Sequence, residues 1–280
     1  LPLKFEEKFE GENVKKFIEL RDRKIEVGKK TLVMGILNVT PDSFSDGGFF
    51  YSAETALNHA KKIIADGADI IDIGAESTRP DFTPISADEE ILRLEKIIPA
   101  VKNLGVPISI DTYKPEVAEF ALSCGADIIN DVTGLENSKM LEVAKKFNAP
   151  VIAMHNKKIS ENILDDIKNY FSAIKKTCKN LQVIFDVGIG FGKTQEENLA
   201  VLKNLREFKN IDGEEIILLL GASRKSFIGH FAGFEVDNRD EATGAVCVSA
   251  ILQGVDIVRV HNVEMISKMC KMTDYLKNFS

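Results

Sequence analysis

Eight short apolar runs, at 32–37, 70–73, 106–110, 127–129, 150–154, 182–185, 216–220 and 256–260, each stop at polar or charged residues. The stops are Asn38, Asp72 with Glu76, Asp111, Asn130 with Asp131, His155, Asp186, the triplet Ser223-Arg224-Lys225, and Arg259 with His261. Arg259 and His261 stand two apart, on one side of a strand end. Both suit phosphate oxygens, the arginine through a two-pronged fork. In a closed barrel the last strand neighbours the first, which brings Asn38 beside them. Its amide oxygen can ligate a Mg²⁺ that keeps most of its waters and rides with a phosphate. The competing account is a salt-bridged arginine and a hydrogen-bonded histidine with no ligand.

Asp111, Asn130 and Asp186, with Lys225 from the seventh loop, form a second set. Such groups are costly to bury without partners. A heterocycle with several ring N–H groups and an exocyclic amine would satisfy them: Asp accepts from paired N–H donors, Asn donates and accepts, and Lys donates to a ring nitrogen or carbonyl. A guanine-like or pterin-like edge fits, against the alternative of a purely structural Asp–Lys network. Ser223-Arg224-Lys225-Ser226-Phe227-Ile228-Gly229 follows the seventh run, where barrels of this kind often hold phosphate. No G-x-S-x-G elbow supports a serine nucleophile. The histidines at 59, 155, 230 and 261 lack zinc-ligand spacing.

Stretches of helical period lie between the runs, at 53–65, 88–102, 115–123, 138–147, 163–179, 196–208, 241–253 and 264–276. In the last, Met265, Met269, Met272 and Leu276 fall on one face, the pattern of a core stripe. Ser86 precedes Glu89 at capping-box spacing, and Pro115 suits a first helical turn. Eight strand–helix units imply an α/β fold, a (β/α)₈ TIM barrel, in which all eight strand ends meet on one active face. An open doubly wound sheet would need a glycine-rich fingerprint after the first strand, where Gly35-Ile36-Leu37-Asn38-Val39-Thr40 stands instead. The barrel is a single domain over 31–280. Residues 1–30 form an N-terminal extension, a short helix (12–21) or a hairpin capping the barrel bottom. Segments 40–52 and 75–86 have the length and Gly/Pro/Ser/Thr/Asp content of lids.

The 280-residue chain can bury about three quarters of its unfolded surface. A net charge of −7 argues against a nucleic-acid or anionic membrane partner. No run approaches the ~18 apolar residues of a membrane span. Four scattered cysteines suit a reducing, cytoplasmic address.

Three motifs carry a family resemblance. Thr31-Leu32-Val33-Met34-Gly35-Ile36-Leu37-Asn38-Val39-Thr40-Pro41-Asp42-Ser43-Phe44-Ser45-Asp46-Gly47-Gly48 resembles the opening motif of dihydropteroate synthases. Asp72-Ile73-Gly74-Ala75-Glu76-Ser77-Thr78-Arg79-Pro80 and Ser223-Arg224-Lys225-Ser226 resemble two others, and the likeness covers about residues 30–275. It implies a barrel that joins 6-hydroxymethyl-7,8-dihydropterin diphosphate to 4-aminobenzoate with Mg²⁺, releasing pyrophosphate. It further implies a homodimer, a sulfonamide target and a place in folate biosynthesis. By this resemblance Asp111, Asn130, Asp186 and Lys225 hold the pterin, with Met154, Phe191 and Gly221 lining its pocket. Asn38, Arg259 and His261 hold the diphosphate and metal. Thr78, Arg79, Pro80, Lys225 and Ser226 frame aminobenzoate, and Phe44 and Asp46 close the first loop. Asp46, Arg79, Lys225, Arg259 and His261 are the catalytic candidates. Val187 stands where the family usually has Pro, and Asn156-Lys157-Lys158 replace a longer loop. A pterin-dependent methyltransferase serving a corrinoid protein would keep the Asp/Asn set without needing the Arg259/His261 cluster or the Ser-Arg-Lys-Ser loop, and a non-catalytic pterin binder would bind pterin without turnover, a reading the two lid-like segments speak against. Lys225→Ala and Arg259→Ala are expected to abolish turnover with little change in melting temperature.

Overall fold

A computed structural model describes residues 16–39, 48–76 and 84–279. It begins with an antiparallel hairpin, β1 (Lys16–Glu19) and β2 (Lys24–Val27). The strands β3 (Leu32–Asn38), β4 (Ile70–Gly74), β5 (Ile108–Asp111), β6 (Ile128–Asp131), β7 (Val151–Met154) and β8 (Val183–Asp186) then run parallel, side by side. A small hairpin, β9 (Asn210–Ile211) and β10 (Glu214–Glu215), precedes β11 (Ile217–Leu220) and β12 (Ile257–Val260). β12 pairs with β3 and closes an eight-stranded barrel, the TIM-barrel architecture implied by the eight apolar runs.

Ten α-helices cover the barrel among the described residues: α1 (Gly48–Ala65), α2 (Ala87–Leu94), α3 (Ile97–Lys102), α4 (Pro115–Ser123), α5 (Ser138–Phe147), α6 (Ile163–Thr177), α7 (Gln195–Lys203), α8 (Ser226–Ala232), α9 (Asp240–Leu252) and α10 (Val263–Asn278). None is long and apolar enough to cross a membrane. Ser86 caps α2 by accepting from Glu89 N at 3.1 Å, and Pro115 opens α4. The single helix expected at 88–102 is two, α2 and α3. Pro99, third in α3, cannot donate to the carbonyl of Glu95 and its ring crowds that turn. α8 and the β9–β10 hairpin carried no expectation. The hairpin turns on Asp212 (φ 54°) and Gly213 (φ 79°), the two positive φ values of a tight two-residue turn. The methionine stripe of α10 holds only in its first half, where Met265 and Met269 are partly buried against the core. Val263, Ile266, Cys270 and Thr273 form its buried stripe, while Met272 and Leu276 are exposed.

Alternation along each strand sorts its side chains. Val33, Ile71, Ile110, Ile129, Ala153, Phe185, Leu218 and Val258 pack outward against the helices. Leu32, Met34, Ile70, Ile128, Ile152, Ile184, Ile217, Leu219 and Ile257 fill the interior, where Ile18, Leu20 and Val27 of the β1–β2 hairpin join them. The hairpin thus stoppers the strand N-termini. At that same end Asp69, Asp127 and Asp256 accept from the backbone N–H of Val33, Ile108 and Leu218 at 3.0, 2.9 and 2.8 Å. Lys30, Lys102 and Lys209 pair with these carboxylates in turn. These carboxylates pin strand register. A groove of about 380 Å³, lined by Lys16, Phe17, Gln182, Phe185 and Glu214 among others, opens here, away from the strand C-termini.

Candidate active site

Continuing the inward parity up each strand gives Asn38, Asp72, Asp111, Asn130, Met154, Asp186, Gly221, Arg259 and His261, one ring at the C-terminal mouth. Gly74 and Gly221 keep this ring open. A Cβ at Gly74 would lie 3.6 Å from Asn38 Oδ1 and Asp111 Cβ, and one at Gly221 would lie 3.5 Å from Asp186 Oδ2.

Arg259 is the hub. Its Nε donates to Asp72 Oδ2 and its Nη2 to Asp111 Oδ2, both at 2.6 Å. Asn130 Nδ2 donates to the same Asp72 oxygen at 3.1 Å. Asp72 Oδ1 and Asp111 Oδ1 are buried with no hydrogen-bond partner among the described residues. Such orphaned acceptors are expensive unless a donor reaches them. Burial pushes Asp111 and Asp186 above the usual carboxylate range; Arg259 opposes this for Asp111 and Lys225 for Asp186. Burial disfavours the charge on Arg259, but Asp72 and Asp111 outweigh it and hold the guanidinium above its ordinary value.

Lys225 arrives from the β11–α8 loop through an unusual backbone. Arg224 adopts φ 58°, rare outside glycine, and its N–H donates to Thr243 Oγ1 at 3.1 Å. Its guanidinium leaves the mouth and grips Asp240 with Nε and Nη2 at 2.6 and 2.8 Å. Asp240 also accepts from Asn262 Nδ2 at 2.9 Å, tying the seventh loop to the eighth. The chain is thereby turned so that Lys225 Nζ donates to Ile189 O and stands 4.6 Å from the Phe191 ring centroid. Burial pushes this ammonium down to about 8, against the pull of Asp186. Ser223 steadies His261, with Oγ 2.9 Å from Nδ1 and accepting from His261 N at 3.2 Å.

The structure therefore brings Asn38, Asp111, Asn130, Met154, Asp186, Gly221, Arg259 and His261 to one mouth, with Lys225 and Phe191 reaching over it. Ser226 is exposed on the first turn of α8, 3.5 Å from Gln195 Nε2. Phe44, Asp46, Thr78, Arg79 and Pro80 lie outside the described residues. Three other strand-end residues serve the scaffold. Glu76 Oε1 accepts from Ile85 N at 2.7 Å and Lys114 Nζ at 2.9 Å. Asp131 accepts from Thr133 N and Oγ1 and from Leu135 N, closing a turn. His155 is buried between Asp166 and Lys193. Val187, in place of the family's usual Pro, is fully buried, and Gly188 N donates to Asp186 Oδ1 at 2.8 Å across that turn. Asp72 and Ser223 had no assigned role in the sequence reading. The only signal for Asp72 was an acidic residue of inward parity inside an otherwise apolar strand.

Among the described residues no group of three or more His, Cys, Asp or Glu side chains is placed to hold a metal ion. Asn38 offers one amide oxygen at the mouth. That donor set suits a hydrated Mg²⁺ carried by a diphosphate, not a cage built wholly from protein.

Comparison with known proteins gives a consistent result. A profile described as "pterin binding enzyme" matches residues 34–261. A dihydropteroate synthase of Clostridium beijerinckii is 44% identical over 269 residues, covering 92% of this chain and 99% of that relative. The structure of dihydropteroate synthase from Clostridium difficile in the presence of pteroic acid matches with a TM-score of 0.85 at 43% identity, covering 90% of this chain and 98% of that one. The Xanthomonas albilineans enzyme with 4-aminobenzoic acid matches with a TM-score of 0.88 at 30% identity, covering 94% and 99%.

Proposed function

We propose how the site works from one premise: the chain belongs to the pterin-binding enzyme family, among its dihydropteroate synthases. As such it is a transferase of folate biosynthesis, joining 6-hydroxymethyl-7,8-dihydropterin diphosphate to 4-aminobenzoate to give 7,8-dihydropteroate and pyrophosphate.

The observation that carries the assignment of roles is the pair of orphaned acceptors, Asp72 Oδ1 and Asp111 Oδ1, beside Asn130 in the mouth. A pterin edge supplies the N–H donors they lack. Asp111, Asn130 and Asp186 take the ring N–H and amino groups, Lys225 donates to the ring's carbonyl or nitrogen, and Met154 and Phe191 line the faces. Gly221 leaves the room in which the ring lies. Arg259, released from Asp111 by the incoming ring, turns its fork to the diphosphate beside His261 and Asn38. Mg²⁺, bound through Asn38 and the diphosphate, would neutralise charge on the leaving group.

The C–O bond to the diphosphate breaks and its electron pair leaves with pyrophosphate. Arg259, once turned to the diphosphate, and His261 stabilise that developing charge. The methylene left behind is cationic and conjugated with the pterin. The amine of aminobenzoate attacks it and passes its proton to solvent. For the aminobenzoate side we assign Ser226 with Thr78, Arg79 and Pro80. To Phe44 and Asp46 we assign shielding of the cation from water.

We also assign a homodimer, supported by the exposed Leu252 of α9 and Met272, Tyr275 and Leu276 of α10. A cytoplasmic address is supported by four free cysteines, and sulfonamide sensitivity by the reading of the aminobenzoate side. Purified chain given the pterin diphosphate, 4-aminobenzoate and Mg²⁺ should release pyrophosphate in step with dihydropteroate. Folded protein that yields neither would overturn the assignment.

A further inference from the structure

Lys193 is not itself one of the strand-end residues, yet no other side chain among the described residues binds the backbone of the 188–193 turn so extensively. Its Nζ reaches Gly188 O at 2.9 Å, Phe191 O at 3.0 Å, His155 O at 3.0 Å and His155 Nδ1 at 2.9 Å. An ammonium only donates, and its three N–H groups are shared among these four acceptors, so Nδ1 accepts and the imidazole proton sits on Nε2. From there it points to Asp166 Oδ2 at 3.1 Å. Asp166 is itself fixed by the N–H groups of Ile159 and Ser160 at 2.9 and 3.0 Å. The line Asp166–His155–Lys193 therefore joins the start of α6 to the turn after β8.

The turn lies directly on the backbone that follows β7. Gly188 has φ 66°, and a Cβ there would fall 1.9 Å from His155 O. Gly192 has φ 58°, and a Cβ there would fall 2.4 Å from Asn156 O. The same turn presents Ile189 O and the Phe191 ring, the two groups that hold the head of Lys225. Gly190 lets the stem pass, since a Cβ there would sit 3.2 Å from Lys225 Cδ.

We propose that Lys193, seated by His155 and Asp166, is a positioning residue for Lys225: it locks the 188–193 turn so that Ile189 O and Phe191 aim the ammonium at the pterin. This rests on the assignment of Lys225 to the pterin. Lys193 touches no group assigned to the diphosphate, so its removal separates the two halves of the substrate. The groups facing Lys225 are Asp186 from β8, Arg259 from β12 and Asp111 from β5, with Lys193 itself charge-coupled to it across the turn. Freeing the turn lets water reach Lys225 and removes a neighbouring positive charge. Both effects raise the pH at which it loses its proton.

The test is Lys193→Met in the intact chain, which keeps the apolar stem and deletes the donors. Binding of 6-hydroxymethylpterin, followed by its fluorescence, should weaken by about tenfold or more, the effect of a lost charge-assisted contact. Pyrophosphate binding should stay within about twofold. The basic limb of the kcat/KM profile for the pterin diphosphate should move upward. His155→Gln, which spares the carbonyl acceptors, should shift the same three readouts in the same directions by less. Unchanged pterin affinity and an unmoved limb overturn the proposal. So does equal loss of both ligands, or failure of both variants to fold, since either marks the cluster as scaffold only. If the wild-type chain shows no turnover, the functional reading fails; if it turns over and Lys193→Met matches it, only the present inference fails.

Discussion

Arg259 and Asp111 share a 2.6 Å hydrogen-bonded ion pair, although one is assigned to the diphosphate and the other to the pterin. Each residue thus occupies the other until substrate arrives. Removing the guanidinium would strand Asp72 and Asp111 together in a buried site. Arg259→Ala should therefore lower stability by about 3–5 kcal/mol, the penalty for an orphaned buried ion, as well as abolish turnover. Chemical denaturation would measure it, and an unchanged midpoint would refute it. Lys225→Ala, by contrast, should change the melting temperature little, because Lys225 makes no direct ion pair among the described residues.

Lys225 and Asp111 set a pH window for binding the pterin diphosphate. Asp111 must be ionised to accept a ring N–H, and burial raises its pKa, so the acid limb should lie above the ordinary carboxylate range. Lys225 must be protonated to donate, and burial lowers its pKa to about 8, so kcat/KM should fall as pH rises through that value. A flat profile from pH 6 to 9 would contradict both assignments.

Chelation should split the ligand. With EDTA present, pyrophosphate affinity should drop by about tenfold or more, as expected when a divalent counter-charge is lost, whereas binding of the bare pterin should persist. Calorimetry on the two ligands separately would decide. Equal weakening would place the metal elsewhere than beside Asn38.

Ile18 is fully buried in the stopper beneath the barrel, at the end opposite the ring of polar residues. Ile18→Ala should cost about 2–5 kcal/mol, the usual range for an emptied core position, while kcat of the folded fraction stays at the wild-type value. A matching fall in kcat would show that the two ends of the barrel are coupled.

Most of the scaffold could be read from apolar runs because a parallel strand buried on both faces must be continuously apolar. Polar residues at the ends of those runs were therefore conspicuous, and inward parity brings the Asp111, Asn130, Asp186 and Arg259 positions to one mouth. Where local and tertiary demands diverge, the pattern misled. Pro99 split a helix whose apolar period runs straight through it. Of the α10 stripe Met265, Met269, Met272 and Leu276, the first two pack on the core and the last two are exposed, because the side packed on the barrel is centred on Ile266 and Cys270. His155 and Glu76 end strands just as Asp111 does, and only coordinates separate a ligand-facing stop from a bracing one. The pairing of Arg259 with Asp72, 187 positions apart in the chain, leaves no trace in local sequence.

The hairpin pressed into the strand N-termini has a consequence for traffic. With Ile18, Leu20 and Val27 plugging one end, the described residues leave the barrel one doorway, at the strand C-termini. On the assigned layout both reactants enter and both products leave by that mouth. Whichever molecule lies deepest must arrive first, and the one nearest the rim must come and go over it. On the assigned layout the pterin is the deep guest. A shallow aminobenzoate mimic should then bind more tightly once the deep site and its pyrophosphate are filled, so inhibition at the rim becomes a function of what already lies beneath.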